Sequence, residues 1–174
     1  MKSYLEIHVP LRYNTPWLEE LRDVLRHVNV RWQKGYYHIT MAFLDETPQD
    51  TNLCPILERH LNLLKAPTLT FDKLDVFSTR SGTHIIYLTA SDVPQDFLSA
   101  IDSIRTELKA AGGRMDSNFR LHVTLGRVID SRIKLQTLRE LVGKVSLPSL
   151  PLTLCDVDYR EFRGRTFFET RLKR

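Results

Sequence analysis

Two stretches of the chain, 84 residues apart from His38 to His122, each carry His-x-Thr at the centre of a short alternating apolar run. The first is Tyr36-Tyr37-His38-Ile39-Thr40-Met41-Ala42-Phe43, and the second is Phe119-Arg120-Leu121-His122-Val123-Thr124-Leu125-Gly126-Arg127. Side chains of a strand alternate between its faces, so the histidine and threonine of each copy point the same way, about 7 Å apart. The pattern predicts two strands that each present one His–Thr pair.

Apolar spacing elsewhere in the chain alternates between strand and helix periods. The predicted strands cover 3–9, 36–44, 68–78, 83–90, 119–127, 150–159 and 165–172. The predicted helices cover 16–28 after a Thr15 cap, 48–64, 95–108 before Gly112-Gly113, and 134–143. Turns are expected at Arg80-Ser81-Gly82 and at Arg163-Gly164.

The predicted elements repeat one order twice: strand, helix, His-strand, helix, strand. This order predicts an α+β fold in which residues 1–174 form a single bilobal domain. We expect two lobes related by a pseudo-twofold axis, with mixed or antiparallel sheets facing a central groove and helices outside. The two His-x-Thr strands, 38–40 and 122–124, would then meet at the axis.

Composition indicates a soluble globular protein, since 42% of the 174 residues are hydrophobic and 26% are charged. No apolar run reaches the ~18 residues that a membrane span needs. Glu6 and His8 interrupt the first strand, where a signal peptide would be apolar. We therefore expect a cytoplasmic protein with no membrane partner, and a monomer.

Neither the cysteines nor the remaining histidines form a convincing metal-ligand pattern. Cys54 and Cys155 are expected to be two reduced, partly buried thiols rather than a disulfide. Ordinary structural positions are expected for the other histidines, which are His8, His27, His60 and His84. The sequence therefore predicts no metal site and no cofactor.

The net charge of +4 is concentrated at one end of the chain. Residues 160–174 hold six basic and two acidic side chains, so the first 159 residues sum to zero. A basic end on a neutral body suits a polyanionic partner such as RNA. A solvated hairpin end that keeps the protein soluble explains the charge equally well.

Both motif blocks, together with Arg31-Trp32 shortly before the first, resemble the two-histidine phosphoesterases. Within that superfamily the chain is most similar to the branch of 2′-5′ RNA ligases and RNA 2′,3′-cyclic phosphodiesterases. The resemblance implies the bilobal fold, and it implies an RNA or nucleotide substrate with a cyclic phosphate.

The same resemblance implies metal-independent acid–base catalysis by His38 and His122. His38 would act as the general acid toward the 3′-oxygen, and His122 as the base that acts on water to leave a 2′-phosphate. Imidazoles suit both roles because their unperturbed pKa of ~6.5 allows one to be neutral while the other is protonated. Thr40 and Thr124 are predicted to hold the phosphate oxygens.

Two arginines compete for the role of phosphate-binding cation. The resemblance implies Arg127, although strict alternation would put it on the face opposite His122 unless a bulge at Gly126 turned it inward. Arg120 lies on the correct face by parity. Tyr36 and Phe43 are predicted to stack on a base or to line the groove, whereas Trp32 is expected to be structural.

Three functions fit these residues. The first is hydrolysis of RNA or oligonucleotide 2′,3′-cyclic phosphate ends, with reversible 2′-5′ ligation as the back reaction. The second keeps this chemistry on small cyclic nucleotides or 2′-5′ oligoadenylates. The third is a non-catalytic module that binds nucleotides or RNA in the same groove.

Overall fold

Alternating and helical apolar patterns build ten strands and four helices in the part of the chain that the computed structural model describes, residues 1–130 and 132–174. The strands are β1 (Ser3–Val9), β2 (Val30–Trp32), β3 (Tyr37–Leu44), β4 (Thr68–Phe71), β5 (Lys73–Ser78), β6 (His84–Thr89), β7 (Val123–Val128), β8 (Leu150–Thr153), β9 (Asp156–Glu161) and β10 (Thr166–Arg171). The helices are α1 (Pro16–Val24), α2 (Cys54–Leu63), α3 (Gln95–Ala110) and α4 (Leu135–Val142).

Two successive units share one plan, which confirms the predicted α+β architecture. The order β1-α1-β3-α2-β4 is followed by β6-α3-β7-α4-β8, with β2 as an extra strand in the first unit. β1 pairs with β3 and β6 pairs with β7, both antiparallel. β4 pairs with β8 in a small sheet of its own. The two units are therefore related by the expected pseudo-twofold arrangement.

Each unit gives its next strand to the sheet of the other unit. β9 leaves the second unit and lies between β1 and β10, so one sheet has the order β10-β9-β1-β3. β5 leaves the first unit and pairs with β6, which gives the order β2-β7-β6-β5 in the other sheet. The lobes are thus not simply the two halves of the sequence.

This exchange explains why two predicted strands were wrong as single elements. The strand predicted over 68–78 is broken at Asp72 into β4 and β5, and the strand predicted over 150–159 is broken at Leu154-Cys155 into β8 and β9. At each break the chain leaves the small β4–β8 sheet for a four-stranded sheet. An apolar run does not reveal which sheet each of its parts joins.

Other boundaries also differ from the predictions. β2 lies between the first predicted helix and the first His-x-Thr strand, where no strand was predicted, and β7 begins at Val123 rather than at 119. α1 ends at Val24 instead of 28. Leu25 lies in the turn that follows the helix and is still buried in the core, so its apolar character resembled a continued helix. α2 begins at Cys54 instead of 48. The predicted start of α1 after Thr15 and the predicted end of α3 before Gly112 are confirmed. Both predicted turns are also confirmed.

The core lies between the sheets and the helices that cover their outer faces. α3 contributes Phe97, Ile101, Ile104 and Leu108, spaced so that one face of the helix is buried. Cys54 and Cys155 are free thiols, as predicted. None of the helices among the described residues has the length and apolar character required to cross a membrane.

Candidate active site

β3 presents the first His–Thr pair on its groove face because of a bulge. Thr40 pairs with Glu6 of β1 and Ala42 pairs with Leu5, so Met41 has no partner of its own. Because of this extra residue, the side chain of Phe43 lies on the same face of β3 as those of His38 and Thr40. Without the bulge, a residue three positions after Thr40 would lie on the opposite face. The intervening residues point into the core.

β7 carries the same bulge at the equivalent place. Thr124 pairs with Tyr87 and Gly126 pairs with Ile86, which leaves Leu125 as the extra residue. Arg127 therefore returns to the face of Thr124, and the bulge that the sequence offered as one alternative is confirmed. Phe43 and Arg127 occupy equivalent positions in the two motifs.

His122 lies immediately before β7, at the end of a loop, rather than inside a strand as predicted. Its Nδ1 lies 2.9 Å from the carbonyl oxygen of Arg120. A carbonyl only accepts, so Nδ1 carries a proton and the lone pair of the neutral ring is on Nε2. This tautomer makes Nε2 a proton acceptor.

The two motifs come together across the groove. β3 contacts β7, and a cavity of about 200 Å³ is lined by Thr40 and Phe43 from one motif and by His122 and Arg120 from the other. Burial is the largest cause that lowers the pKa of both histidines, and the positive charge of Arg127 lowers both further. One cation thus acts on both imidazoles.

The surroundings of the two histidines differ in polarity. His122 is packed edge-on against the rings of Phe77 and Tyr87, at centroid distances of 5.4 and 6.1 Å. Burial is the main cause that lowers its pKa, followed in the same direction by the charges of Arg120 and Arg127. Arg120 itself lies over the Phe77 ring at 4.1 Å.

His38 lies beside a buried carboxylate that the sequence analysis missed. Its Nε2 is 3.5 Å from Oε2 of Glu6, whose side chain is 0% exposed, whereas that of His38 is 26% exposed. Burial lowers the pKa of His38 to about 4, with further lowering by the charges of His8 and His122. Burial also raises the pKa of Glu6. Both shifts disfavour the charged forms.

Glu6 belongs to a polar cluster on the floor of the groove. The hydroxyl of Tyr36 donates to Glu6 Oε1, and Nη1 of Arg160 donates to the Tyr36 hydroxyl at 3.0 Å. His8 Nε2 lies 2.8 Å from Oδ2 of Asp158. His8 was expected to occupy an ordinary structural position, and the structure places it in this cluster. The sequence did contain a signal for this cluster. Side chains of a strand alternate between its faces, so Glu6 and His8 of β1 lie on the same face.

Tyr36 and Phe43 both lie in the groove, in different surroundings. The Tyr36 ring stacks on His8 at 4.3 Å, so one of its faces is already covered. Phe43 stacks on Tyr4 at 6.2 Å and meets Phe162 edge-on at 5.8 Å. The exposed Phe162, which comes from the turn between β9 and β10, was not predicted as part of the site.

One group among the described residues has donor atoms close enough for a metal. Those of Glu6, His8 and Asp158 lie within 4.8 Å of one another. Hydrogen bonds already join His8 to Asp158 and Tyr36 to Glu6, and Arg160 brings a positive charge to the same cluster. Donor atoms of all three residues are therefore already used in hydrogen bonds, and the nearby positive charge disfavours a cation. The cluster fits a hydrogen-bonded network better than a metal site.

Comparison with known proteins identifies the family. The family model described as the 2′-5′ RNA ligase superfamily matches residues 13–165. The chain belongs to this superfamily. No curated protein matches it in a search by sequence.

Solved structures show the same fold. Kluyveromyces marxianus Usb1 is 14% identical, covers 98% of each chain and has a TM-score of 0.69. TT0787 of Thermus thermophilus is 18% identical, covers 99% of this chain and 98% of its own, and has a TM-score of 0.70. LigT of E. coli complexed with NADP+ is 19% identical, with the same coverage and a TM-score of 0.54. These likenesses extend over nearly the whole chain and show that its α+β fold is shared.

Proposed function

We propose that this superfamily member is a metal-independent phosphodiesterase that hydrolyses 2′,3′-cyclic phosphate ends of RNA or oligonucleotides to 2′-phosphates. The observation that carries the proposal is the matched pair of bulged strands, which presents Thr40 and Phe43 on one face of β3 and Thr124 and Arg127 on one face of β7. A histidine comes with each strand, and one cavity of the groove brings Thr40 and Phe43 of the first motif together with His122 of the second.

The bond changes follow from the tautomer of His122. Its Nε2 takes a proton from water, the water oxygen bonds to phosphorus, and the bond from phosphorus to O3′ breaks. His38 gives its proton to O3′ as the ring opens. Thr40, Thr124 and Arg127 hold the non-bridging oxygens as negative charge develops. When the 5′-hydroxyl of a second RNA takes the place of water, the same transfers form a bond from O5′ to phosphorus and break the bond to O3′, which gives a 2′-5′ linkage.

Substrate binding prepares His38 for this role. In the free protein the low pKa of His38 keeps its ring neutral at pH 7. A bound phosphate brings a negative charge to the ring, and an opposite charge within about 4–6 Å raises the pKa of an imidazole. His38 therefore becomes protonated, and able to act as the general acid, when an anionic substrate is bound.

The nucleotide character of the substrate is supported by complexes of related proteins. LigT of E. coli has been solved with 3′-AMP, and Usb1 of Kluyveromyces marxianus with uridine monophosphate. The aromatic rings of Phe43, Tyr4 and Phe162 at the groove offer a surface for a base. Small cyclic nucleotides and 2′-5′ oligoadenylates have the same groups and are the substrates to compare.

The deciding experiment is hydrolysis of 2′,3′-cyclic nucleotides and short RNAs with a cyclic end, in the presence of EDTA, with the phosphate position read by phosphorus NMR. We expect a 2′-phosphate product. His38→Ala and His122→Ala should each lower kcat/KM by ~10²-fold or more, the usual size of acid–base catalysis. His27→Ala, on the exposed surface, is the matched control.

Two results would contradict the proposal. Loss of turnover with EDTA would contradict the metal-independent mechanism. RNA binding without turnover, unchanged in both histidine variants, would instead support the non-catalytic binding module.

A further inference from the structure

Two arginines lie directly opposite each other on neighbouring strands. Arg31 of β2 is the register partner of Arg127 of β7, and both side chains are exposed. Directly opposed residues of an antiparallel pair point to the same face, and like charges in such positions destabilise the pair. The ion pairs among the described residues include neither arginine. Two positive charges held side by side on one face attract an anion.

Packing on the opposite face fixes this register. Val30 and Trp32 flank Arg31 and cover Gly126, where a Cβ would lie 2.7 Å from Val30 Cγ1 and 3.0 Å from Trp32 Cε3. The strands fit only because residue 126 has no side chain. Trp32 is therefore structural, as predicted, and its packing directs Arg31 toward the face that carries Thr124 and Arg127.

The paired arginines line a polar hollow at the end of β7. Its volume is about 350 Å³, and the turn between β5 and β6 contributes Ser81, Gly82 and Thr83. Guanidinium groups and hydroxyls are donors that match phosphate oxygens. The bulge in β7 puts Arg127 on the same face of that strand as Thr124, so the hollow adjoins the second His–Thr motif.

We propose that Arg31, with the hydroxyls of Ser81 and Thr83, forms a second phosphate site beside Arg127 for the phosphodiester that links the reactive nucleotide to its neighbour. This inference rests on the proposed function and makes it more specific. The substrate is an oligonucleotide end, and a cyclic mononucleotide leaves the second site empty. Arg31 is then a specificity residue that takes no part in bond breaking.

The first test compares substrates of two lengths. Arg31→Ala should lower kcat/KM about tenfold or more on a tetranucleotide with a 2′,3′-cyclic end, the effect of losing one charge-assisted hydrogen bond. The loss on a 2′,3′-cyclic mononucleotide should be less than about twofold. Arg59→Ala removes a charge from α2 and should change neither rate. Equal losses on both substrates would overturn the second site.

The second test does not need turnover. Binding of a labelled hexaribonucleotide with a 3′-phosphate is followed by fluorescence anisotropy between 50 and 300 mM salt. Each phosphate contact to a single strand adds about 0.7 to the slope of log K against log salt, so Arg31→Ala should lower the slope by about 0.7. Arg59→Ala should leave it unchanged.

The two proposals fail separately. A lowered slope in a protein without turnover would keep the phosphate site and overturn the phosphodiesterase. An unchanged slope, or no binding of the hexaribonucleotide, would overturn the phosphate site whatever the turnover.

Discussion

Oε2 of Glu6 lies 3.5 Å from Nε2 of His38, and this carboxylate oxygen accepts no hydrogen bond from the described residues. A buried acid beside a site for an anion is costly unless it helps to hold a proton there. Its neighbours are Tyr36 immediately before β3, His38 on β3, Tyr4 and His8 on β1, and Asp158 and Arg160 on β9. Glu6 is suited to favour the protonated form of His38 once phosphate is bound.

Glu6→Gln tests that relationship. Removal of the negative charge should make His38 harder to protonate, so the maximum of the kcat/KM profile should move to lower pH. Activity at pH 7 should fall about tenfold, which corresponds to a change of one unit in the pKa of the acid. The Tyr36 hydrogen bond can be kept because the Gln amide oxygen still accepts.

Glu46→Gln is the control for Glu6→Gln. Glu46 is an exposed carboxylate paired with Arg114 outside the groove, and its replacement should leave the pH profile unchanged. If Glu6→Gln lowers activity equally at every pH, then Glu6 is only a packing residue.

Folding stability should depend on pH through His38. Because its pKa is about 4 in the folded protein and about 6.5 when unfolded, the unfolded chain binds more protons between these values. The contribution of His38 is therefore complete above pH 6.5 and is lost as the pH falls toward 4, by roughly 3 kcal/mol. Burial of His122 acts in the same direction.

Urea unfolding at pH 7.5 and pH 4.5 measures this dependence. The loss of unfolding free energy between the two pH values should be smaller in His38→Asn than in the wild type. His27→Asn changes an exposed histidine and should retain the full wild-type loss. An equal loss in all three proteins would show that His38 titrates normally in the folded state.

Gly126→Ala should disturb the bulge that places Arg127. The new Cβ would lie 2.7 Å from Val30 and 3.0 Å from Trp32, so the strands must shift. Overpacking of this kind costs about 1–3 kcal/mol, and kcat/KM should fall because Arg127 moves with the strand. Both are measured on purified protein, by urea unfolding and by hydrolysis of the cyclic substrate.

Gly143→Ala provides the comparison. Gly143 follows α4 with a φ of −63°, and its nearest atom would be 3.2 Å from an added Cβ. This substitution should have little effect on either measurement. If Gly126→Ala also leaves the unfolding free energy and kcat/KM nearly unchanged, the packing between β2 and β7 is looser than their register indicates.

Local patterns in the sequence determined much of the site. Alternation put His38 with Thr40 on one face of a strand, and the shared residues around His122 identified the equivalent half-site. The same reasoning left Arg127 and Arg120 open, because only a bulge could return Arg127 to the groove. A bulge is set by strand pairing, and no local period reveals the register of a partner.

The tertiary structure alone decided which residues surround the histidines. Asp158 and Arg160 join Glu6 and His8 because β9 crosses to β1 after a separation of about 150 residues, and Arg31 meets Arg127 because β2 adds to the edge of the other sheet. The alternation of side chains along a strand depends only on its own backbone, so the sequence predicts the face on which each side chain lies. The neighbours on that face depend on which strands pair, and that is settled by packing of the whole chain.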